Sequence, residues 1–473
     1  MKRKKAPVYI DALRIENFAA EGNCLGHHNG KVVFCERTVP GDLVKVYLYK
    51  NKSDWASGYP VEFLEYSPMR IDAPCTHFGL CGGCQWQTVP YADQLAFKEK
   101  QVADNLGRIS RIPLPDLLPI VGCDTIYEYR NKLEYTFATR KYIPEGEYKA
   151  MLAAGEDPRK PTTCAGYHAK GIFDKVVAIE HCHLQAEPSN AIRNGLTAFA
   201  TAQGMPFYDL FHHTGWLRNM QIRMTVAGQI MLNIIVGYEQ PEWQQMVEEY
   251  LLQAFVGITT LLFTVNGKKN DTIYDLTPQV VHGDGYITEY LGNYQFRISP
   301  KSFFQTNSLQ AKKLYDITKQ FAALTGTETV YDLYCGTGSI GIYCSDGAKK
   351  IVGVELIDDA IKDARINASI NKVENAHFFT GDVVDICNDS FFESNDKPDV
   401  IITDPPRAGM HGALVDKLLD IAAPRIVYVS CNPATQARDL ALLNEKYYVS
   451  QIQPVDMFPQ THHIENVVQL QLR

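Results

Sequence analysis

Short alternations of apolar and polar residues open the chain. Positions 8–15, 31–35, 43–49 and 59–64 follow the two-residue period of half-buried strands. Gly22, Gly26, Asn29-Gly30, Pro40-Gly41 and positions 52–58 supply breaks between them. Four or five short strands without a helix predict a small OB-like β-barrel over residues 1–68. The pattern then changes. Residues 91–109 have helical spacing with no breaker before Gly107, and 129–137 read as a strand with a basic entrance. Residues 141–165 mix Pro, Gly and charge without a period, which predicts an exposed loop. Strands at 221–226, 230–236 and 259–265 surround a helix at 243–255, so 69–294 reads as a mixed α/β domain.

From about 295 onward strands and helices alternate regularly. Strands are predicted at 329–335, 350–356, 376–380, 399–403 and 425–431, with helices at 358–371, 413–422 and 434–443. Two strand-like runs, 447–458 and 467–472, close the chain. Such alternation predicts an α/β fold in which residues 295–473 form a parallel, doubly wound, Rossmann-like sheet.

Composition narrows the function classes. The chain has 473 residues, 45% hydrophobic and 21% charged, as in a soluble globular protein of several domains. No apolar run approaches the roughly 18 residues that span a bilayer. The basic residues 1–5 precede no apolar core, so they do not form a secretory signal and a cytoplasmic protein is expected. Twelve cysteines are too sparse for a disulfide scaffold of this size and point to free thiols, some of them metal ligands. The net charge of −8 excludes a uniformly basic nucleic-acid binder. Residues 1–72, however, carry 11 Lys and Arg against 9 Asp and Glu, whereas 301–473 carry 16 against 22. Arg3 to Lys5, Lys45, Lys50 and Lys52 are therefore candidates for phosphate contact; a solvated face explains them equally well.

Two clusters carry chemistry. Cys75, Cys81 and Cys84 lie within ten residues, with Gly82-Gly83 letting the loop curl, as in metal or cluster sites. A fourth ligand must come from elsewhere, and Cys182 and Cys164 are the candidates. Spacing does not separate zinc from iron–sulfur. The second cluster is in the alternating region. Asp332-Leu333-Tyr334-Cys335-Gly336-Thr337-Gly338 is a glycine turn leaving a strand, and Glu355 ends the next strand, where an acid can accept ribose hydroxyls. Asp382 and Asp404 follow in register at later strand ends. Cys431, in Ser430-Cys431-Asn432-Pro433, stands at another strand-to-helix junction, where open α/β sheets bind ligands. Taken alone, it reads more readily as a small core residue.

The series from Asp332 through Glu355, Asp382 and Asp404 resembles class I S-adenosylmethionine (SAM) methyltransferases more than NAD-dependent dehydrogenases. An amino-methyltransferase would place an aromatic where Arg407 stands and would need no cysteine. A nucleophilic thiol with a carboxylate, Glu465, beside SAM suits methylation of a pyrimidine at C5. Cys75 to Cys84, Tyr129 to Glu134, Lys301 to Asn307, Asp332 to Gly338, Asp404 to Gly409, Ser430 to Pro433 and His462 to Val467 together resemble the RlmD/TrmA-like RNA uracil-C5 methyltransferases over nearly the whole chain.

The resemblance implies that Cys431 is the nucleophile and Glu465 the base. It implies that Gln305, Tyr334, Glu355, Asp382 and Asp404 bind SAM, and that Cys75, Cys81, Cys84 and Cys182 hold a [4Fe-4S] cluster. It also makes residues 1–68 a TRAM RNA-binding barrel. Barrel and cluster together point to the RlmD-like branch and to 23S rRNA, with tRNA, or another or a second 23S uridine, as alternatives. A monomer and no membrane partner are expected. The rival from another class is a non-catalytic RNA-binding or redox iron–sulfur protein. Phe303 and Phe304 read as core or as a base-stacking pair, His462 and His463 as structural, Arg407 as substrate-orienting or ion-paired, and Cys335 as packing.

Overall fold

The computed structural model describes residues 7–473; Arg3 to Lys5, candidates for phosphate contact, lie outside the described residues. Val8–Arg14, Asn17–Phe18, Cys24–His28, Lys31–Cys35, Leu43–Asn51 and Trp55–Glu65 form one six-stranded sheet. Alternate residues, among them Ile10, Val33, Val44 and Val46, point to one apolar core. Cys24–His28 was hidden in sequence by Gly26, which reads as a break. In the fold Gly26 lies within the strand, where a Cβ would come 2.2 Å from the Arg14 carbonyl oxygen. Glycine is needed there for close backbone approach, not for a turn.

The central sheet has seven strands, in the order Gln279–His282, Ile258–Val265, Ile230–Val236, Leu217–Met224, Lys132–Ala138, Cys164–His168 and Val176–Ala178. Helices Ser189–Ala202 and Pro241–Ala254 cover one face with Ile192, Leu196, Val247 and Leu251. The stretch 141–165, expected as a loop, contains the helix Glu145–Ala153. None of its residues is buried, so burial imposes no period on its sequence. An exposed Lys149–Glu145 pair at 2.6 Å and acids in the first turn suit its local electrostatics.

The third sheet runs Ala376–Thr380, Lys350–Glu355, Thr329–Leu333, Val400–Thr403, Arg425–Ser430, Glu465–Leu472, Tyr447–Val455. Its first five strands are parallel, as the alternation predicts. The last pair departs from that pattern: Glu465–Leu472 runs antiparallel to both neighbours, because the chain turns back after Val455 without a crossover helix. Both faces are covered. Val330, Ile402 and Val427 belong to one core and Tyr331, Ile401 and Tyr428 to the other, which explains the nearly unbroken apolar strands.

The helix Tyr91–Asn105 precedes the central sheet in sequence but packs against the third, burying Val102 beside Leu440 and Ile452. It carries the ion pair Lys98 Nζ to Asp456 Oδ1 at 2.6 Å, both side chains fully buried. Burial pushes Lys98 down, and Asp456 opposes that shift. Lys98 also donates to the Phe458 carbonyl, while Tyr91 Oη and Phe458 N donate to Asp456. Among the described residues no helix is long and apolar enough to cross a membrane. Lys98→Met leaves a buried carboxylate without its cation and should cost about 3–5 kcal/mol in denaturant unfolding; a loss below about 1 kcal/mol would contradict this reading.

Candidate active site

The strand Thr329–Leu333 delivers the glycine turn. Tyr334 at φ 61°, Gly336 at 53° and Gly338 at 75° carry the left-handed backbone that folds the turn over the strand end. At Gly338 a Cβ would also lie 2.8 Å from the Phe378 ring. Asp332 ties the turn back, accepting from Gly341 N at 2.8 Å. Its other oxygen is buried without a partner among the described residues, and burial pushes the carboxyl up to about 7. Glu355 accepts from Gly336 N at 3.2 Å and Ile357 N at 3.0 Å, so its orientation is set by backbone while lone pairs remain for a ligand.

Beside these residues lies a cavity of about 300 Å³, lined by Tyr334, Glu355, Asp382, His411 and Leu414 among others. Asp382 also caps the short helix Val383–Ile386, accepting from Val384 N. Three of the five expected SAM contacts thus share one cavity. Gln305 is outside its lining; it is buried, and its carbonyl accepts from Asn131 Nδ2 at 2.9 Å. Asp404, also outside that lining, belongs to the neighbouring group around Cys431.

The antiparallel register assembles that group. Ser430 pairs with Asn466, so the next rung beyond the ladder sets Cys431 beside Glu465. Burial, then Glu465 and Asp404, push the Cys431 thiol up to about 12, and Arg407 opposes them. Burial and then Asp404 hold Glu465 well above the ordinary carboxyl range, again against Arg407. Burial brings Asp404 to about 7. Arg407 is fixed through its backbone: Asn432 Nδ2 and Thr435 Oγ1 donate to its carbonyl at 3.1 and 3.2 Å. Its guanidinium donates to His463 at 3.3 Å. Burial first, then His462 and Arg407, push His463 down to about 3, so the ring is neutral and able to accept. Arg407 thus faces a histidine and the Cys431 group. The aromatic pair divides: Phe304 is buried core and Phe303 is 71% exposed. Cys335 is buried, consistent with packing.

Cys75, Cys81, Cys84 and Cys182 line a second cavity of about 150 Å³, with Arg130, His181 and His183 on its wall. Cys164 lies elsewhere, in a small core with Ala138 and Tyr208, which removes it as the fourth thiol of this group. Among the described residues no group of three or more His, Cys, Asp or Glu side chains is placed to hold a single metal ion.

Sequence reasoning missed two contributors. His411 lines the larger cavity from a loop with no distinguishing pattern. Asp439 is fully buried and accepts from Met410 N and Tyr428 Oη, holding the loop after Asp404 against the Cys431 strand. A carboxylate on the apolar face of the helix Pro433–Leu443 was the available signal.

Asp404 keeps a proton in the folded state that an unfolded carboxyl loses near its ordinary value. Folding stability associated with it is therefore present at about pH 4 and lost as pH rises through 7. In ligand-free protein Asp404→Asn should raise Tm by a few degrees at pH 8 and leave it unchanged near pH 4; an equal shift at both would show that titration is not the cause.

The tRNA (uracil-5-)-methyltransferase family matches residues 223–473. An uncharacterized RNA methyltransferase of Bacteroides thetaiotaomicron is 45% identical over 459 residues, covering 96% of this chain and all of that one. One from Chlorobaculum tepidum is 39% identical over 465 residues, 97% of this chain and 95% of its own. Among solved structures, Pyrococcus abyssi tRNA (uracil-54, C5)-methyltransferase in complex with S-adenosyl-L-homocysteine aligns with a TM-score of 0.73 and 26% identity. That alignment covers 97% of this chain and 100% of the other.

Proposed function

This chain belongs to the tRNA (uracil-5-)-methyltransferase family of RNA methyltransferases, and we propose that it methylates C5 of a uridine in 23S rRNA through a covalent Cys431 adduct. The observation that carries this reading is the thiol of Cys431 set beside the buried Glu465 at the end of one sheet. SAM, when bound, supplies the methyl group. The cavity beside Tyr334, Glu355 and Asp382 suits its adenosine portion, with Gln305 and Asp404 as further contacts.

Uracil C5 is a weak nucleophile. The Cys431 thiolate adds to C6, which places an enolate on the ring and makes C5 nucleophilic toward the methyl group. C5 takes the methyl group as the methyl–sulfonium bond breaks, which leaves the neutral thioether S-adenosylhomocysteine. Glu465, ionised once the cationic ligand is bound, then removes the C5 proton, the C6–S bond breaks, and Cys431 leaves as thiolate. A base whose affinity for protons is raised by burial suits this step, and a positioned base contributes about 10²–10⁴ in rate. Arg407 favours the thiolate against the surrounding acids. The target base must leave its stack to reach Cys431, so a loop or partly unfolded RNA is the expected substrate.

The four thiols that line the smaller cavity are, in this reading, the ligands of a [4Fe-4S] cluster. Its role is structural. Within the three proposed units, 1–68, 69–294 and 295–473, the first is the TRAM barrel with Lys45, Lys50 and Lys52 toward phosphate. Barrel and thiol cavity together favour 23S rRNA, met in the cytoplasm. The likeness to an enzyme named for uracil-54 of tRNA favours tRNA as the second reading.

Labelled-methyl transfer from SAM onto separated 23S rRNA and tRNA from a strain lacking the gene tests both. Label in 5-methyluridine of 23S rRNA alone is expected, with Cys431→Ala reduced at least about 10³-fold. Label in tRNA alone would overturn the substrate, and full activity of Cys431→Ala the mechanism.

A further inference from the structure

The face of the central sheet opposite its helices is polar. Leu133 and Ile222 point into the helix-covered core, whereas Lys132, Glu134, Gln221 and Arg223 occupy the other side. Along that side most groups find partners: Gln221 Nε2 donates to Glu134 at 3.0 Å, and Asn219 Nδ2 donates to Thr136 at 3.3 Å. The end of the row is different. Arg223 and Lys132 stand directly opposite each other in the antiparallel register. Like charges at one rung are destabilising. Glu134 is the carboxylate that both cations feel, and Gln221 already engages it.

Arg223 is 4% exposed, and its Nη2 donates to the Ser302 carbonyl at 2.6 Å. Its Nη1 is buried and has no hydrogen-bond partner among the described residues. An unpartnered buried donor of a charged group is costly, and here it sits beside a second cation that could share an anion with it. Burial and Arg223 push the Lys132 ammonium down, so the pair is short of negative charge.

The location connects this pair to the reaction. Asn131, next to Lys132, donates to the Gln305 carbonyl, and Arg223 holds the other end of the same segment at Ser302. Phe303, between them in sequence, is largely exposed. We propose that Lys132 and Arg223 form a binding site for one phosphodiester group of the substrate RNA, which fixes the strand's position where the target uridine enters. A phosphate at the partly buried Lys132 ammonium supplies the negative charge that the Arg223–Lys132 rung lacks and cancels their repulsion. Such a contact sets register on the backbone and carries no base specificity. The site rests on the RNA-methyltransferase reading above.

The test uses full-length protein, a labelled uridine-containing single-stranded RNA and the variant Lys132→Gln, at the partly buried member of the pair. RNA affinity should fall roughly three- to tenfold at low salt, and the slope of log K against log salt should shrink by about 1. SAM affinity should be unchanged. Without RNA, Lys132→Gln should raise Tm, because it relieves the repulsion; Arg223→Lys, which retains charge but loses the fork, should weaken RNA binding without that gain. Unchanged RNA affinity and slope in Lys132→Gln would overturn the site. A lower Tm with lost SAM affinity would make the pair structural and overturn it equally. If the wild-type protein bound no RNA, the RNA reading would fall and this site with it.

Discussion

The buried contact between Lys98 and Asp456 is the constraint on which the rest of the arrangement depends. Removing two charges from water is expensive, and the geometry offsets that cost with additional donors from Tyr91 and Phe458 N. Its consequence is positional. Asp456 begins the segment that leads through Phe458 and His463 to Glu465, so the same pair that docks the helix sets the approach to the site. The segment is stitched again at Gln460, whose carbonyl accepts from Gln85 N and Trp86 N, directly after Cys84. Tyr129 Oη adds a bond to Pro459. The thiol-lined loop and the Cys431 site are thereby held by one short stretch of chain.

The site itself is built from acids that burial keeps from ionising. Asp332, Asp404 and Glu465 are each pushed upward mainly by burial, with no directly paired cation among the described residues, while Arg407 acts on Glu465 and Cys431 from nearby. In ligand-free protein this arrangement opposes stability above neutral pH. A cationic ligand would favour the ionised carboxyls, so the same groups that weaken the empty fold give ligand binding its electrostatic gain. Strain of this kind is what functional sites retain against packing.

Much of this was legible in the chain. The parallel strands were readable because both faces are buried and their apolar runs are continuous, as at 425–430. Cys431, Glu355 and the glycine turn were readable because strand ends and positive-φ positions leave local marks. Non-local facts were less visible. The pairing of Arg223 with Lys132 depends on a register that joins segments about ninety residues apart. Asp456 meets Lys98 across 358 positions, and neither residue is unusual in its own window. The helix Glu145–Ala153 was missed because it buries nothing, and Cys24–His28 because a glycine required for close approach resembles one required for a turn.

The central claim is that Cys431 forms a bond to the uracil ring with Glu465 in position to resolve it. Incubation with SAM and RNA containing 5-fluorouridine tests it most directly, because fluorine at C5 cannot be removed as a proton. The adduct is then digested and mapped by mass spectrometry. The account predicts a peptide carrying the methylated fluorouracil nucleotide on Cys431. Methylated RNA with no protein-linked intermediate, or a linkage at any other residue, would contradict it.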